Sequence, residues 1–434
     1  MRLVMPRRLR GMIEVPGDKS ISHRSVLFNA VAEGNAVITN FLTGADCLST
    51  IACVRAMGVE VDQEGTTVRV RGRGLRGLQE PHEVLDCGNS GTTLRLLTGL
   101  LAGQDFFAVL TGDGSLRSRP MSRVVEPLRV LGAQIDGRQN GSRAPLAIRG
   151  TRLRGGAYEL PIASAQVKSA LLLAALTGEG MLRLHGKIAS RDHTERMLAA
   201  MGLDIVMTPE QITFHPPAHP VFPYPLSLRV PGDPSSAAFW WVAGSIHPDA
   251  EITTAGVCLN PTRTGALDVM RAMGADITIT NARMEGQEPV GDVTVRSAAL
   301  RGTTIAGEMI PRLIDEVPVL AVAAAYAHGE TSIRDAGELR AKESDRITTV
   351  VAELRKLGAD VEATSDGMVV AGGGELHGAG VDSHGDHRLA MAMAVAALGA
   401  EGATDITGAE SVAVSYPDFW AHLEDLQRNY QITA

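Results

Sequence analysis

The 434-residue sequence has few cysteines, no basic excess and no apolar run long enough to cross a membrane. Its four cysteines, Cys47, Cys53, Cys87 and Cys258, show neither Cys-x-x-Cys spacing nor the density of a disulfide scaffold, so reduced thiols of a cytosolic protein are expected. A formal net charge of −8 argues against a general nucleic-acid binder, whose affinity rests on a basic surface. It still leaves room for a small basic pocket. The longest apolar runs, such as 317–327 and 389–398, fall short of the roughly 20 residues a spanning helix needs. Arg2, Arg7, Arg8 and Arg10 precede no apolar signal-peptide core, so neither secretion nor membrane insertion is expected. His193, His384 and His387 lack companions at ligand spacing, which argues against a catalytic metal. Gly17-Asp18-Lys19-Ser20 resembles the end of a phosphate-binding P-loop, but Asp18 stands where that motif needs glycine.

What is present is repetition. Val15-Pro16-Gly17-Asp18 returns as Val230-Pro231-Gly232-Asp233 halfway down the chain, each following a strand (12–15; 226–230) and opening a Ser-rich helix start. Inside the halves, a helix end, a glycine and an immediate return strand recur at 54–61, 128–135, 198–205, 270–277 and 354–361. The glycines Gly58, Gly132, Gly202, Gly274 and Gly358 take the position just past each helix, and their spacing of about 70 residues implies a repeated supersecondary unit. Three units fit each half, the sixth ending in a helix at 419–426 without the glycine. Most units also carry a second Ala- and Leu-rich helix (94–101, 167–176, 318–327, 389–398), apolar round most of its girth and therefore buried, with Met391 and Met393 as core filling. The prolines 216, 217, 220, 223 and 225 can be neither regular helix nor central strand, which puts a domain junction just before the second Val-Pro-Gly-Asp turn. If the first turn is also a junction, two domains are expected, 18–231 and 1–17 with 232–434, and the cleft between them would hold the site.

Chemistry accumulates at helix starts that break an electrostatic rule. A helix's first turn presents partial positive charge, so cations there are disfavoured unless an anion joins them. Lys19 and Arg24 stand in such a place, with Arg24 on the face of Ser20. Arg95 follows Gly88-Asn89-Ser90-Gly91, and Lys168 follows Ser164-Ala165-Gln166. Lys342 and Arg346 read as one helical face, with Glu343 beside Arg346, and Arg388 follows Gly385-Asp386-His387. Residues 111–120 read as a loop carrying Arg117 and Arg119. A neighbouring acid would explain any one of these; together, in an acidic protein, they point to a substrate or substrate pair with several negative charges.

These residues resemble the 5-enolpyruvylshikimate-3-phosphate (EPSP) synthase family along essentially the whole chain. The motifs are Gly-Asp-Lys-Ser-x-Ser-x-Arg, Gly-Asn-Ser-Gly-Thr-Thr-x-Arg, Arg-x-Arg-Pro-Met, Ser-Ala-Gln-x-Lys-Ser, Ser-Arg-Asp-His-Thr-Glu, Lys-Glu-Ser-Asp-Arg and Asp-His-Arg. The resemblance implies an α/β (α+β) fold of two similar domains, each of three βαβαββ units, joined by a double crossover. It implies transfer of the enolpyruvyl group of phosphoenolpyruvate to the 5-hydroxyl of shikimate 3-phosphate, with release of phosphate and without metal or organic cofactor. Lys19, Ser20, Arg24, Ser164, Ala165, Gln166, Ser190, Arg191, Asp315 and Lys342 would then meet shikimate 3-phosphate. Lys19, Asn89, Gly91, Arg119, Gln166, Arg346 and Arg388 would meet phosphoenolpyruvate. Asp315 would accept the hydroxyl proton, and Glu343 with Lys342 would protonate the methylene carbon and later remove a proton, while domain closure excludes water. A cytoplasmic monomer with no nucleic-acid or membrane partner is expected.

The pattern departs from the family at Val414, where some members carry Lys, and at Ala165, where many carry Ser. The Gly-Thr-Thr-x-Arg-Leu and Ser-Ala-Gln-Val-Lys forms resemble the branch less sensitive to glyphosate, while Gly91 keeps room beside phosphoenolpyruvate. The related UDP-N-acetylglucosamine enolpyruvyl transferases have Lys-Asn where Lys19-Ser20 stands, and usually a Cys in the loop matching 111–121, which has none here. A non-catalytic polyanion-binding module is the other reading. Against it stand Asp315 and Glu343, since acids in an anion pocket weaken binding unless the chemistry uses them.

Overall fold

The structure, a computed structural model, describes residues 1–217 and 223–428. The chain divides into two compact units: Gly17–Val230 with Glu285–Gln287, and Met1–Pro16 with Pro231–Met284 and the chain from Glu288 on.

Each unit repeats one pattern. In the unit 17–230, strand Leu85–Asp86 runs parallel to Phe107–Thr111 across the buried helix Gly91–Ala102, and Phe107–Thr111 pairs antiparallel with Arg143–Arg149, whose other edge takes Gln134–Gly137. The four-stranded sheets around Glu33–Thr39 and around Glu179–Gly186 have the same order, giving βαβαββ units. In the other unit the sheets around Ala250–Cys258 and Gly329–Ile333 follow suit. The sixth differs: among the described residues it shows no hairpin of its own, and Arg2–Val4 pairs antiparallel with Ala403–Thr407 beside Gly380–Asp382 to give three strands.

The two Val-Pro-Gly-Asp turns lie where the chain changes unit. Before the first, Leu9–Ile13 joins a sheet of the later unit, parallel to Ala250–Cys258, with Met12 opposite Thr253. Before the second, Leu228–Arg229 returns to pair with Glu33–Thr39, and the Asn29 amide ties that return through both backbone groups of Leu226. The strand before the first turn lies earlier than the sequence suggests, at Leu9–Ile13, and the one before the second is shorter, Leu228–Arg229; both stop before Val15 and Val230, where the backbone bonds of the turns begin: Asp233 N donates to the Pro16 carbonyl, and Val230 N to that of Thr39. Of the proline cluster, Pro216, Pro217, Pro223 and Pro225 lie outside helix and strand; Pro220 lies outside the described residues.

Local chemistry explains the repeats. Gly58, Gly132, Gly202, Gly274 and Gly358 all have φ between 81° and 98°, the left-handed region glycine enters freely. In each, the following amide bonds back to the helix, as Val59 N to the Val54 carbonyl and Ala359 N to that of Leu354, so the chain leaves these five helices through the same turn. The helices that start at the motif loops (Lys19–Ala30, Gly91–Ala102, Ala165–Ala175, Pro234–Ile246, Val317–Tyr326 and His387–Ala397) are buried along most of their length. Met391 and Met393 lie in the core as expected. The first turns of Lys19–Ala30, Gly91–Ala102 and Ala165–Ala175 are the partly exposed ones, so polar side chains there are held on rigid, buried supports.

Candidate active site

Two sets of polar side chains gather at these helix starts, one in each unit. In the unit 17–230, Asp18 caps the helix Lys19–Ala30, its carboxylate accepting from Ile21 N at 2.9 Å. Lys19 opens the helix, and its Nζ lies 3.2 Å from Asp46 in the first turn of Ala45–Ala56. Arg24, one turn on, is buried; it donates through Nε to Thr194 Oγ1 (2.7 Å), through Nη1 to the Ser20 carbonyl (2.9 Å) and through Nη2 to Ser169 Oγ (2.7 Å). Between them His23 bonds Thr50 at 2.7 Å; burial, and then the charges of Lys19 and Arg24, hold its pKa well below the ordinary imidazole value.

Around the next helix start, Arg119 donates to the Asn89 side-chain oxygen at 2.6 Å and to its carbonyl at 3.2 Å, and Asn89 in turn donates to Asp113 at 2.7 Å. Residues 111–120 are thus not a plain loop: Asp113 caps a single helical turn, Gly114–Ser118, which turns Arg119 inward. Arg95 Nη1 donates to Gln166 Oε1 at 2.7 Å, Arg123 reaches the same oxygen at 3.4 Å, and the Gln166 amide donates to Thr92 at 3.1 Å. A Cβ on Gly91 would stand 2.8 Å from Arg95 Nη1 and 3.5 Å from Arg119 Nη1, so this glycine keeps space before two guanidinium groups. Ser164 caps Ala165–Ala175, of which Ala165 is the first residue, and Ser20 and Arg191 are half-buried. The Ser190 hydroxyl is buried and has no hydrogen-bond partner among the described residues. Lys168 does not face outward as the cationic helix-start pattern suggests. It is buried, paired to buried Glu195 at 2.6 Å.

In the other unit, Asp315 precedes the helix Val317–Tyr326 and receives two cations: Lys342 Nζ at 3.3 Å and Arg346 Nη1 at 3.5 Å. Arg346 Nη2 donates to Glu343 at 2.7 Å, and its Nε and Nη2 grip Asp386 at 2.8 and 3.1 Å. Lys342 and Arg346 do not share a helical face. Asp345 caps a helix that begins at Arg346, and Lys342 is extended, so both cations reach Asp315 from a bend. Burial opposes the charge of Arg346, yet Asp386, Glu343 and Asp315 together raise its pKa above the ordinary guanidinium value. Burial likewise opposes the Asp386 charge, and Arg346 outweighs it, holding that carboxyl below the usual range. Arg388, 6% exposed, has no side-chain partner among the described residues, although a buried lone cation is costly. Val414 closes the turn Ala409–Val414.

Sequence reasoning gave no role to Asp386, Asp46, Arg123, Ser169 or Thr194. Asp386 had a readable signal, an acid directly before a helix start, which marks a cap. It serves as cap and clamp at once, accepting from Arg388 N at 2.9 Å while holding Arg346. At the second Val-Pro-Gly-Asp turn the protein supplies its own cation: Arg263, 1% exposed, donates to Asp233 and to Ser235 Oγ, both at 2.8 Å.

Residues 4–423 match the family described as EPSP synthase (3-phosphoshikimate 1-carboxyvinyltransferase). A 3-phosphoshikimate 1-carboxyvinyltransferase of Herpetosiphon aurantiacus is 72% identical over 421 residues, covering 97% of this chain and 98% of the relative. One of Chloroflexus aurantiacus is 69% identical, covering 98% of each. Among solved structures, an EPSP synthase of Acinetobacter baumannii superposes with a TM-score of 0.87 at 40% identity, over 98% of both chains. The enolpyruvyl transferase NikO of Streptomyces tendae, at 20% identity and a TM-score of 0.80 over 98% of this chain and 96% of that one, shares the fold.

Proposed function

The chain belongs to the EPSP synthase family, transferases that act as 3-phosphoshikimate 1-carboxyvinyltransferases, and from that premise we propose how its own residues divide the reaction. The enolpyruvyl group of phosphoenolpyruvate passes to the 5-hydroxyl of shikimate 3-phosphate. Asp315 accepts the hydroxyl proton as that oxygen bonds to the central carbon of phosphoenolpyruvate, and Glu343 delivers a proton to the methylene carbon. In the second half Glu343 takes a proton back from the methyl group, the double bond reforms and phosphate leaves. Arg119, Arg346 and Arg388, with Asn89 and Gly91, receive phosphoenolpyruvate; Ser20, Arg24, Ser164, Ala165, Ser190 and Arg191 receive shikimate 3-phosphate. Lys19 and Gln166 serve both substrates, and Lys342 steadies Asp315. The enzyme acts as a cytoplasmic monomer.

The observation that carries this division is Arg346, held by Asp386 and touching both Asp315 and Glu343. One fixed cation beside two carboxylates keeps an acceptor and a donor of protons in a constant relation, as a step with one proton on oxygen and one on carbon needs. Arg388 supports the same reading, since an anionic substrate would supply the partner it lacks.

The test is phosphate release. It is expected from phosphoenolpyruvate only when shikimate 3-phosphate is added. Release driven by UDP-N-acetylglucosamine instead would overturn the assignment.

A further inference from the structure

The Lys168–Glu195 pair belongs to no step above, and its place is specific. Both side chains are almost wholly buried, 3% and 1% exposed, and Nζ lies 2.6 Å from the carboxylate. Neither can touch a ligand. Lys168 sits on Ala165–Ala175, whose first turn carries Gln166, and Glu195 on His193–Ala200, which follows Ser190 and Arg191. Lys168 Nζ also donates to the Ser190 carbonyl at 3.3 Å. The adjacent residue on each helix, after Lys168 and before Glu195, repeats the contact: Ser169 Oγ and Thr194 Oγ1 are 2.6 Å apart, and both accept from Arg24. Two rungs, one ionic and one of hydroxyls, therefore lock the two helices in register and set Arg24 and the Ser190 segment together.

We propose that Lys168 and Glu195, with Ser169 and Thr194 as the second rung, are positioning residues for the shikimate 3-phosphate half of the site. The proposal rests on the division of residues given above. A buried ion pair is a weak source of stability, because desolvating both charges offsets their attraction and apolar side chains of similar volume often do as well. What apolar side chains cannot do is hold one carbonyl and one guanidinium at fixed angles. The groups so held are Arg24, which has spent Nε, Nη1 and Nη2 bonds on the protein and so points in one direction only, and Ser190, whose hydroxyl is buried without a partner. A site for a phosphate-bearing ring needs that stiffness, since misplaced donors lose much of a charged hydrogen bond.

The test uses the full chain, phosphate-release kinetics with each substrate varied in turn, and thermal melts. Lys168→Met combined with Glu195→Leu is expected to melt within a few degrees of the wild type. Its KM for shikimate 3-phosphate should rise about tenfold, or about 1.4 kcal/mol of binding, while the KM for phosphoenolpyruvate stays within about twofold. Lys168→Arg, which keeps charge and donor, should restore most of the loss. A folded double variant with unchanged KM for shikimate 3-phosphate, or with both KM values raised equally, overturns the proposal. If the double variant does not fold, Ser169→Ala decides: a selective rise of about threefold in the same KM supports the lock, and no rise overturns it. A wild type that releases no phosphate with the two substrates would instead defeat the underlying reading.

Discussion

Glu343→Gln separates the delivery of a proton from the binding of an anion. The replacement keeps size and shape, and its carbonyl oxygen can still accept from Arg346 Nη2, now 2.7 Å from the carboxylate. Arg346 has no reason to move, because Asp386 grips it through two bonds of 2.8 and 3.1 Å and the guanidinium is 1% exposed. Geometry and ground-state contacts thus survive, and what disappears is a group able to give and take a proton. Positioned acid–base groups contribute about 10²–10⁴-fold, so kcat is expected to fall by that factor, about 2.7–5.4 kcal/mol in barrier, while both KM values stay within about threefold. Steady-state phosphate release reads the fall, and deuterium exchange from solvent into the methylene group of phosphoenolpyruvate should be lost in parallel. Turnover within tenfold of the wild type would refute the proton-transfer role. A raised KM with kcat intact would make Glu343 a binding residue instead.

Arg388→Met should move stability and activity in opposite directions. Removing a buried cation that has no side-chain partner among the described residues is expected to stabilise the chain by about 1 kcal/mol or more, seen as a higher melting midpoint, while the KM for phosphoenolpyruvate rises about 10–100-fold, the worth of a charged hydrogen bond. A lower melting midpoint would contradict the lone-cation reading. His23 gives a pH signature. Burial, with Lys19 and Arg24 beside it, keeps the folded imidazole neutral to well below its ordinary pKa. The unfolded chain takes up that proton below about pH 6.5. Stability is therefore full above that value and declines as pH falls beneath it, by up to about 1.4 kcal/mol per pH unit. His23→Gln should flatten the decline in urea melts between about pH 6.5 and 5.5; an equal slope in both proteins would place the titration elsewhere.

Much of this architecture was legible because it rests on local rules. A glycine past a helix end needs only its neighbours to declare itself, and the five copies made the repeat visible before any contact was known. Helices such as His387–Ala397, rich in Ala, Leu and Met on all sides, announce burial in the same way. The site was readable as residue types, since cations at helix starts conflict with the helix field wherever the chain goes. Which conflict is answered from within was not. Lys168 and Lys19 look alike in sequence, yet Glu195 and Asp46 come from separate helices brought alongside by folding. The bend at Lys342 escaped for a related reason: spacing of four suggests a shared helical face, but the Asp345 cap delays the helix until Arg346. The sixth sheet takes its third strand from the far end of the chain, Arg2–Val4, which no local pattern could supply.

The parallel pairing of Leu9–Ile13 with Ala250–Cys258 has a consequence for biosynthesis. The unit from Gly17 to Val230 is essentially continuous in sequence and can close as soon as its last strand leaves the ribosome. The strand made before it cannot join its sheet until Thr253 exists. At roughly 5–20 residues per second, the intervening 240 or so residues impose a delay of about 12–50 s on the nascent chain. During that time the N-terminal strand carries unpaired backbone groups, which makes the exposed charges of Arg8 and Arg10 on and beside it useful as a guard against premature pairing.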